Sequence, residues 1–444
     1  KIKYTIPNDF SLNTNLVLSI DIYDGDVKIG TSYINFLVNP VYRTMNKNNI
    51  SATFNNIGHI GYNDFPQNNQ GNGFQFKNYD GIFGDGILFE GALIATDTSR
   101  QALSNTARNS GQGGQDKHFI SSKIFEVRKF DEEPNNTYFR GKTSFSDYIK
   151  LEGAPKDSSR TNLDIEEYIY QFTTENDSNF LILRYEITNR FDAKMDNLFF
   201  GYYFDWDIGL SGMQNICSWD YENKIGMQYS YSDTNLPKVA VAPIDQDIID
   251  NNLINFYAID NDGTAEDNIG VYDGFTRSEK IQVISNGIKR DTSSTTDASM
   301  AIGVGPISIE VGEKRIVHFA IAAGLKLSDL PIEIEKAKNK IKGQVLNIEE
   351  NKTENTQVSN LLQVYPNPSL DGNIRLEFAN EEIVNQLQSI TIIDLNGNIV
   401  EEIAFGNIKN NELNLTNLAN GTYLIIAKSE NNQVLDFNKF VISK

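Results

Sequence analysis

Ser389-Ile390-Thr391-Ile392-Ile393-Asp394-Leu395-Asn396-Gly397-Asn398-Ile399-Val400 reads as a β-hairpin. Two β-branched apolar runs flank Asn-Gly, the dipeptide that best tolerates the positive φ angles of a type I′ turn. Outward from this hairpin, about seven strand-like runs fill residues 361–444. They begin near Leu361, Ile374, Ser389, Ile399, Glu412, Thr422 and Val434. That density of short strands predicts an immunoglobulin-like β-sandwich.

Upstream, residues 346–360 are polar and charge-rich without a strand pattern, which predicts a linker. Residues 328–344 carry the 3.6-residue period: Ser328 is a plausible N-cap, Pro331 suits a first turn, and Ile334, Ala337 and Ile341 share a face. From 41 to 345 the pattern is otherwise strand and turn, with β-rich runs at 57–62, 73–76, 87–95, 165–173, 180–187, 198–204 and 314–320. The expectation is a mainly β protein whose central domain is a large antiparallel β-sandwich closed by one helix. Residues 1–40 hold only a strand pair, 16–22 and 32–38, around the turn dipeptide Asp24-Gly25. This reads as the end of a truncated β-sandwich. The opening Lys1-Ile2-Lys3-Tyr4 lacks an initiator Met and a signal-peptide pattern, so the expectation is that Lys1 is not the natural start.

Composition sets outer bounds. The 444 residues are 39% hydrophobic, which is enough for more than one core. No apolar run approaches the roughly 20 residues of a membrane-spanning helix. The net charge of −20 argues against a phosphate-backbone partner, so no nucleic acid is expected. Cys217 is the only cysteine, which excludes an intrachain disulfide and makes a buried small hydrophobe the default.

Four motifs in the tail carry a family resemblance. Val364-Tyr365-Pro366-Asn367-Pro368-Ser369 is followed by Gly372. Then come Asp394-Leu395-Asn396-Gly397, Leu418-Ala419-Asn420-Gly421-Thr422-Tyr423 and the terminal Lys439-Phe440-Val441-Ile442-Ser443-Lys444. In order and spacing they resemble the type A sorting domain of the type IX secretion system. The resemblance implies export to the surface of, or release from, a Gram-negative, Bacteroidetes-type bacterium. It implies as partners the translocon and a sortase-like peptidase that removes the domain. Physically, the two prolines keep the entry extended, Gly421 allows a tight corner, and Tyr423 is placed to pack in the core.

Residues 1–343 resemble regions that follow the catalytic domain in secreted subtilisin-like (S8 family) peptidases of such bacteria. The residues concerned are 58–64 (Gly58-His59-Ile60-Gly61), 88–93 (Leu88-Phe89-Glu90-Gly91), 185–189 (Tyr185-Glu186) and 201–209. The catalytic apparatus itself is not evident. His59, His118 and His318 are the only histidines, and Gly30-Thr31-Ser32 continues as a strand instead of opening a helix. No zinc spacing or phosphate loop occurs.

Calcium is the expected cofactor, if any. Asp260-Asn261-Asp262-Gly263 with Glu266 clusters oxygen ligands around a turn, and Asp205-Trp206-Asp207 sets two carboxylates on alternate residues of a strand. Each reads first as a solvated acidic turn or a strand-end pair. The carboxylates also admit a glycosidase pair, Asp205 or Asp207 with Glu186, and Tyr202, Tyr203, Trp206 and Trp219 could stack on sugars if exposed. Three functional readings follow. The chain is the non-catalytic C-terminal part of an exported subtilisin-like peptidase, a stand-alone adhesin or glycan-binding protein, or an enzyme built on an unfamiliar carboxylate cleft.

Overall fold

The computed structural model describes residues 11–61, 71–78, 80–111, 114–121, 123–132, 136–148, 156–209, 212–264, 268–342, 362–378, 384, 386–394, 399–429 and 434–444. The chain divides into two compact units, Lys1–Gly343 and Gln344–Lys444. Both are β-rich, as the alternation and turn chemistry require.

The larger unit is built on two sheets. One has eight strands in the order Asn215–Asp220, Ile225–Ser230, Lys238–Pro243, Lys314–Gly324, Phe180–Asn189, Leu163–Phe172, Asn136–Ser146 and Glu126–Glu132. The other runs Ile288–Arg290, Ile254–Asp260, Ala298–Ile309, Met195–Trp206, Leu88–Asp97, His59–Ile60, Ile50–Asn55 and Tyr42–Met45. Phe74–Phe76 and Ala102–Asn105 pair off this path. All pairings are antiparallel except Ile254–Asp260 with Ile288–Arg290. The period-2 rule assigns the faces. Phe200, Tyr202, Phe204 and Trp206 of one strand meet Leu181, Leu183 and Ile187 of the other sheet in the shared core. Each such side chain contributes roughly 1.5–3 kcal/mol by leaving water.

Within that apolar interior lies a polar link. Glu167 accepts from Tyr185 Oη at 2.6 Å, and Tyr185 in turn meets the hydroxyl of Tyr202 from the opposite sheet. Burial in the core pushes the Glu167 carboxyl up to about 8, against the opposing effect of the Tyr185 hydrogen bond. Its second oxygen and the hydroxyl of Thr143, its cross-strand neighbour, have no partner among the described residues.

The outer face of the ten-stranded sheet is also covered. Tyr203, Ala92, Ile94, Tyr257 and Ile259 pack under Val283 and Ile284 of the helix Arg277–Ser285. Gly201 makes room beneath: a Cβ there would stand 2.2 Å from the Ile302 carbonyl oxygen. Sequence periodicity missed this helix, since the charged Lys280 is buried along with Ile281, Val283 and Ile284 and breaks the apolar face. Its capping box, Thr276 with Glu279, was the available signal. The short helix Gln246–Asp250 was missed as well, so the single closing helix expected is one of three among the described residues. That closing helix spans Asp329–Lys342 and buries Leu330, Ile334 and Ala337.

Thr14–Asp24 and Val27–Val38 form a two-stranded sheet turned at Gly25, φ +57°. Among the described residues it pairs with no other strand.

The smaller unit packs a three-stranded sheet (Leu362–Tyr365, Asn373–Phe378, Glu412–Asn414) with a four-stranded one (Ile399–Ala404, Leu387–Asp394, Gly421–Ser429, Val434–Ile442). Val364, Ile374, Leu376, Ile390, Ile392, Ile425 and Phe440 form its core. The strands flanking Asn396-Gly397 pair antiparallel, as the hairpin reading requires, while that turn and the linker lie outside the described residues.

Candidate functional site

In the smaller unit the motif residues meet at one corner. Asn367 Nδ2 donates to the Lys439 carbonyl at 2.8 Å and its Oδ1 accepts from Val441 N–H at 2.9 Å. One amide thus stitches the Tyr-Pro-Asn-Pro entry to the last strand. Gly372 holds φ +82°, and a Cβ there would lie 2.9 Å from the Leu415 carbonyl oxygen. Tyr423 packs against Phe440 and donates to the Ala419 carbonyl. Asp394 lies opposite Tyr423, and Gly421 opens the strand opposite Ile442. Tyr365 stays half exposed, whereas Gly397 falls outside the described residues.

In the larger unit, polar residues gather at one end of the ten-stranded sheet. The strand Met195–Trp206 finishes there while its neighbours Leu88–Asp97 and Ala298–Ile309 begin. Register therefore sets Asp205 between Glu90 and Ser299. Arg108 enters between the two acids. Its Nε donates to Glu90 Oε2 at 2.8 Å, its backbone N–H to Glu90 Oε1 at 2.7 Å, and its other arm to Asp205. Burial works against the Arg108 charge, but the surrounding Tyr203, Glu90 and Asp205 outweigh it and hold the guanidinium more firmly protonated than usual.

Asp205 Oδ1 also accepts from Ser299 Oγ at 2.8 Å and Asn261 Nδ2 at 3.0 Å. Asn261 extends to Asp297 at 2.9 Å, whose other oxygen takes the Tyr272 hydroxyl at 2.6 Å. Asp205, Asp207 and Asp297 each offer an oxygen, all within 4.8 Å of one another. They are the only such group of three among the described residues.

Asp207 differs from its neighbours. Burial, then the negative fields of Asp205 and Asp297, push it up to about 7 against the pull of Arg108. No hydrogen bond contributes to that shift. Around neutral pH this carboxyl can therefore both hold and release a proton. It lines a cavity of about 580 Å³ together with Asp85, Gln214, Ser230, Ser232, Asp233 and Asn235. Phe76, Ile87, Met213 and Leu236 supply its apolar parts.

The structure joins Asp205 and Asp207, and adds Asp297, which the sequence reading lacked. The signal was the acid immediately preceding the run Ala298–Ile309. The other acidic stretch is divided. Asp260 is clamped by Arg290 at 2.9 and 3.0 Å and by Ser294 N–H, which together overcome the effect of burial and hold its carboxyl below the usual range. Asp262 caps its own turn at Thr264, and Glu266 lies outside the described residues. Glu186 belongs to the other sheet, between Arg184 and Lys314, so it forms no pair with Asp205 or Asp207. The four aromatics considered for sugar stacking are buried: Tyr202, Tyr203 and Trp206 fully, Trp219 nearly so. Cys217 is buried as well, and burial raises its thiol pKa.

The histidines are dispersed. His59 accepts from Gln115 at 2.7 Å. His118 lies beside Asn105 and Asp116, pushed down to about 4 chiefly by burial and then by Arg160. His318 is held by Asp245 at 2.6 Å. Three of the four stretches singled out upstream, containing His59, Glu90 and Asp205, converge on the network around Arg108.

The fold is β-rich in both units, and the tail motifs meet in the smaller one. Residues 363–443 match the family described as secretion system C-terminal sorting domain. The chain therefore carries a type IX secretion tail that engages that system, and the protein is secreted or displayed on the surface of a Bacteroidetes-type bacterium. Among the described residues no helix is long and apolar enough to cross a membrane.

No curated protein matches the chain. Among solved structures, a bacterial glucoamylase complexed with acarbose aligns at 13% identity and TM-score 0.33, over 71% of this chain and 36% of that one. A polysaccharide lyase aligns at 10% and 0.25, over 81% and 40%. A GalM/aldose epimerase homologue from C. elegans aligns at 10% and 0.29, over 64% and 99%. The chain thus spans roughly two-fifths or less of the first two structures, and similarity at this level assigns nothing to it.

Proposed function

We propose that the larger unit binds a sugar in the cavity at Asp207, and that the tail carries this binding unit through the type IX translocon, where a sortase-like peptidase removes the tail. The observation that carries the reading is the cavity's chemistry. A sugar presents closely spaced hydroxyls that both donate and accept, with apolar C–H faces between them. Asp207, Gln214, Asn235 and the serines answer the first, and Met213 and Leu236 the second.

Calorimetric titration of the secreted chain with a monosaccharide panel tests it. Saturable binding is expected, weakened at least tenfold by Asp207→Ala, since truncation leaves a desolvated ligand hydroxyl unpaired at a cost of about 1–3 kcal/mol. A flat response across the panel rejects it. A subtilisin-like parent is the second reading, resting on the upstream stretches alone. Separated Asp, His and Ser motifs in the coding sequence before Lys1 would make this unit a peptidase accessory; their lack there would remove that parentage.

The acidic trio is also the proposed calcium site. Three carboxylates this close need either a proton or a cation between them. Asp205 and Asp297 are already oriented by Arg108, Asn261, Ser299 and Tyr272, and Asp207 supplies the carboxylate not yet engaged. Calcium at a hundred times its Kd would stabilise the fold by about 2.7 kcal/mol. The expected result is a Tm rise of a few degrees that chelator reverses and Asp207→Asn abolishes. A Tm indifferent to millimolar calcium would leave a proton on Asp207 as what neutralises the trio.

A further inference from the structure

We propose that the ligand is a linear oligosaccharide of three or more units, running from the cavity at Asp207 into a second cavity beside Lys77 and Lys326. The proposal rests on the sugar reading above and adds the length and course of the ligand.

The second cavity measures about 420 Å³ and is lined by Asn49, Lys77, Asn179, Lys326 and Asp329. It shares Phe76, Asn78 and Leu325 with the first. The two spaces therefore lie on either side of these three residues. Phe76 ends a strand of the ten-stranded sheet, and Leu325 follows Lys314–Gly324 of the eight-stranded one. The shared wall thus bridges the two sheets at one margin of the sandwich.

Together the cavities reach the upper end of the roughly 300–1,000 Å³ that single-ligand sites occupy. A monosaccharide would leave most of this space to water. A chain of sugars occupies both cavities and passes Asn78 and Leu325, which line each.

The second cavity is polar in a different sense from the first. Asn49 is bonded to Asn179 and Ser178, and Asp329 accepts from the Lys326 backbone N–H. The ammonium groups left at its rim are those of Lys77, over the Phe83 ring at 5.2 Å, and Lys326. Both side chains are solvent-accessible and lie outside the core, so their truncation tests binding without unfolding the unit.

The experiment is calorimetry of the intact chain with cello-, xylo-, manno- and malto-oligosaccharides of one to six units. In the series that binds, affinity is expected to rise at least tenfold from one unit to three and then level off. The Lys77→Ala/Lys326→Ala double variant should return the trisaccharide to the monosaccharide's affinity and leave the monosaccharide's own binding unchanged. Monosaccharide binding with no gain on lengthening overturns the proposal and leaves the sugar reading intact. A length gain that survives the double variant also overturns it, because the extra units then lie elsewhere. Binding of no sugar, or of an extended peptide instead, overturns both.

Discussion

Arg108→Met is expected to destabilise the larger unit by about 3–5 kcal/mol. Methionine keeps most of the apolar stem, so the loss is electrostatic and not a packing defect. Glu90 is fully buried and Asp205 only 3% exposed, and Arg108 is the cation that contacts both. Removing it strands two carboxylates that have no route to water. Adding Glu90→Gln and Asp205→Asn should recover most of the loss, since neutral amides do not carry the same desolvation cost. Trp206 and Trp219 are the chain's two tryptophans and both lie in the larger unit, so fluorescence-detected urea unfolding reports on it selectively. A loss under 1 kcal/mol, or a triple variant no better than the single, would show that Arg108 does not hold this end of the sheet together.

Stability should also fall as pH rises from about 4.5 to about 8, and Glu167→Gln should flatten that slope. In the unfolded chain Glu167 titrates near 4.5, and in the folded core near 8. Between those values the folded state holds a proton that the unfolded state has released, so raising pH favours unfolding. The contribution is complete below 4.5 and lost above 8, amounting to roughly 5 kcal/mol at about 1.36 per pH unit. Asp207, raised to about 7, slopes in the same sense, so the diagnostic quantity is the difference between wild type and Glu167→Gln at each pH. Parallel stability curves for the two proteins would rule out a neutral Glu167 in the core.

What was legible in the sequence follows the range of the physics. The tail was readable because its signals are local. Alternation marked the strands, and the expected starts near Ile374, Ile399, Glu412 and Val434 fall within a residue or so of the strands found. The larger unit was readable as β and not as topology. Nothing near Lys314–Gly324 says that it will lie between Lys238–Pro243 and Phe180–Asn189, because that order depends on contacts far apart in the chain, such as Pro243 with Phe319 and Phe180 with Ala322.

The site divides along the same line. Asp205 and Asp207 stood out by their spacing, but Asp297 and Arg108 join them only through strand register and a loop. Tyr203 was open to sugar stacking only if exposed, and the helix Arg277–Ser285, which was not expected, covers that face.

The two halves of the site are attached to the fold differently. Glu90, Asp205 and Ser299 sit on paired strands, whereas Asp85, Met213, Gln214, Asp233 and Asn235 sit on the connections between strands. Substitution at Asp85, Asp233 and Asn235 changes the cavity lining without altering a strand or a residue that Arg108 contacts. Over generations the residues on these connections can change while the scaffold and the sorting tail stay as they are.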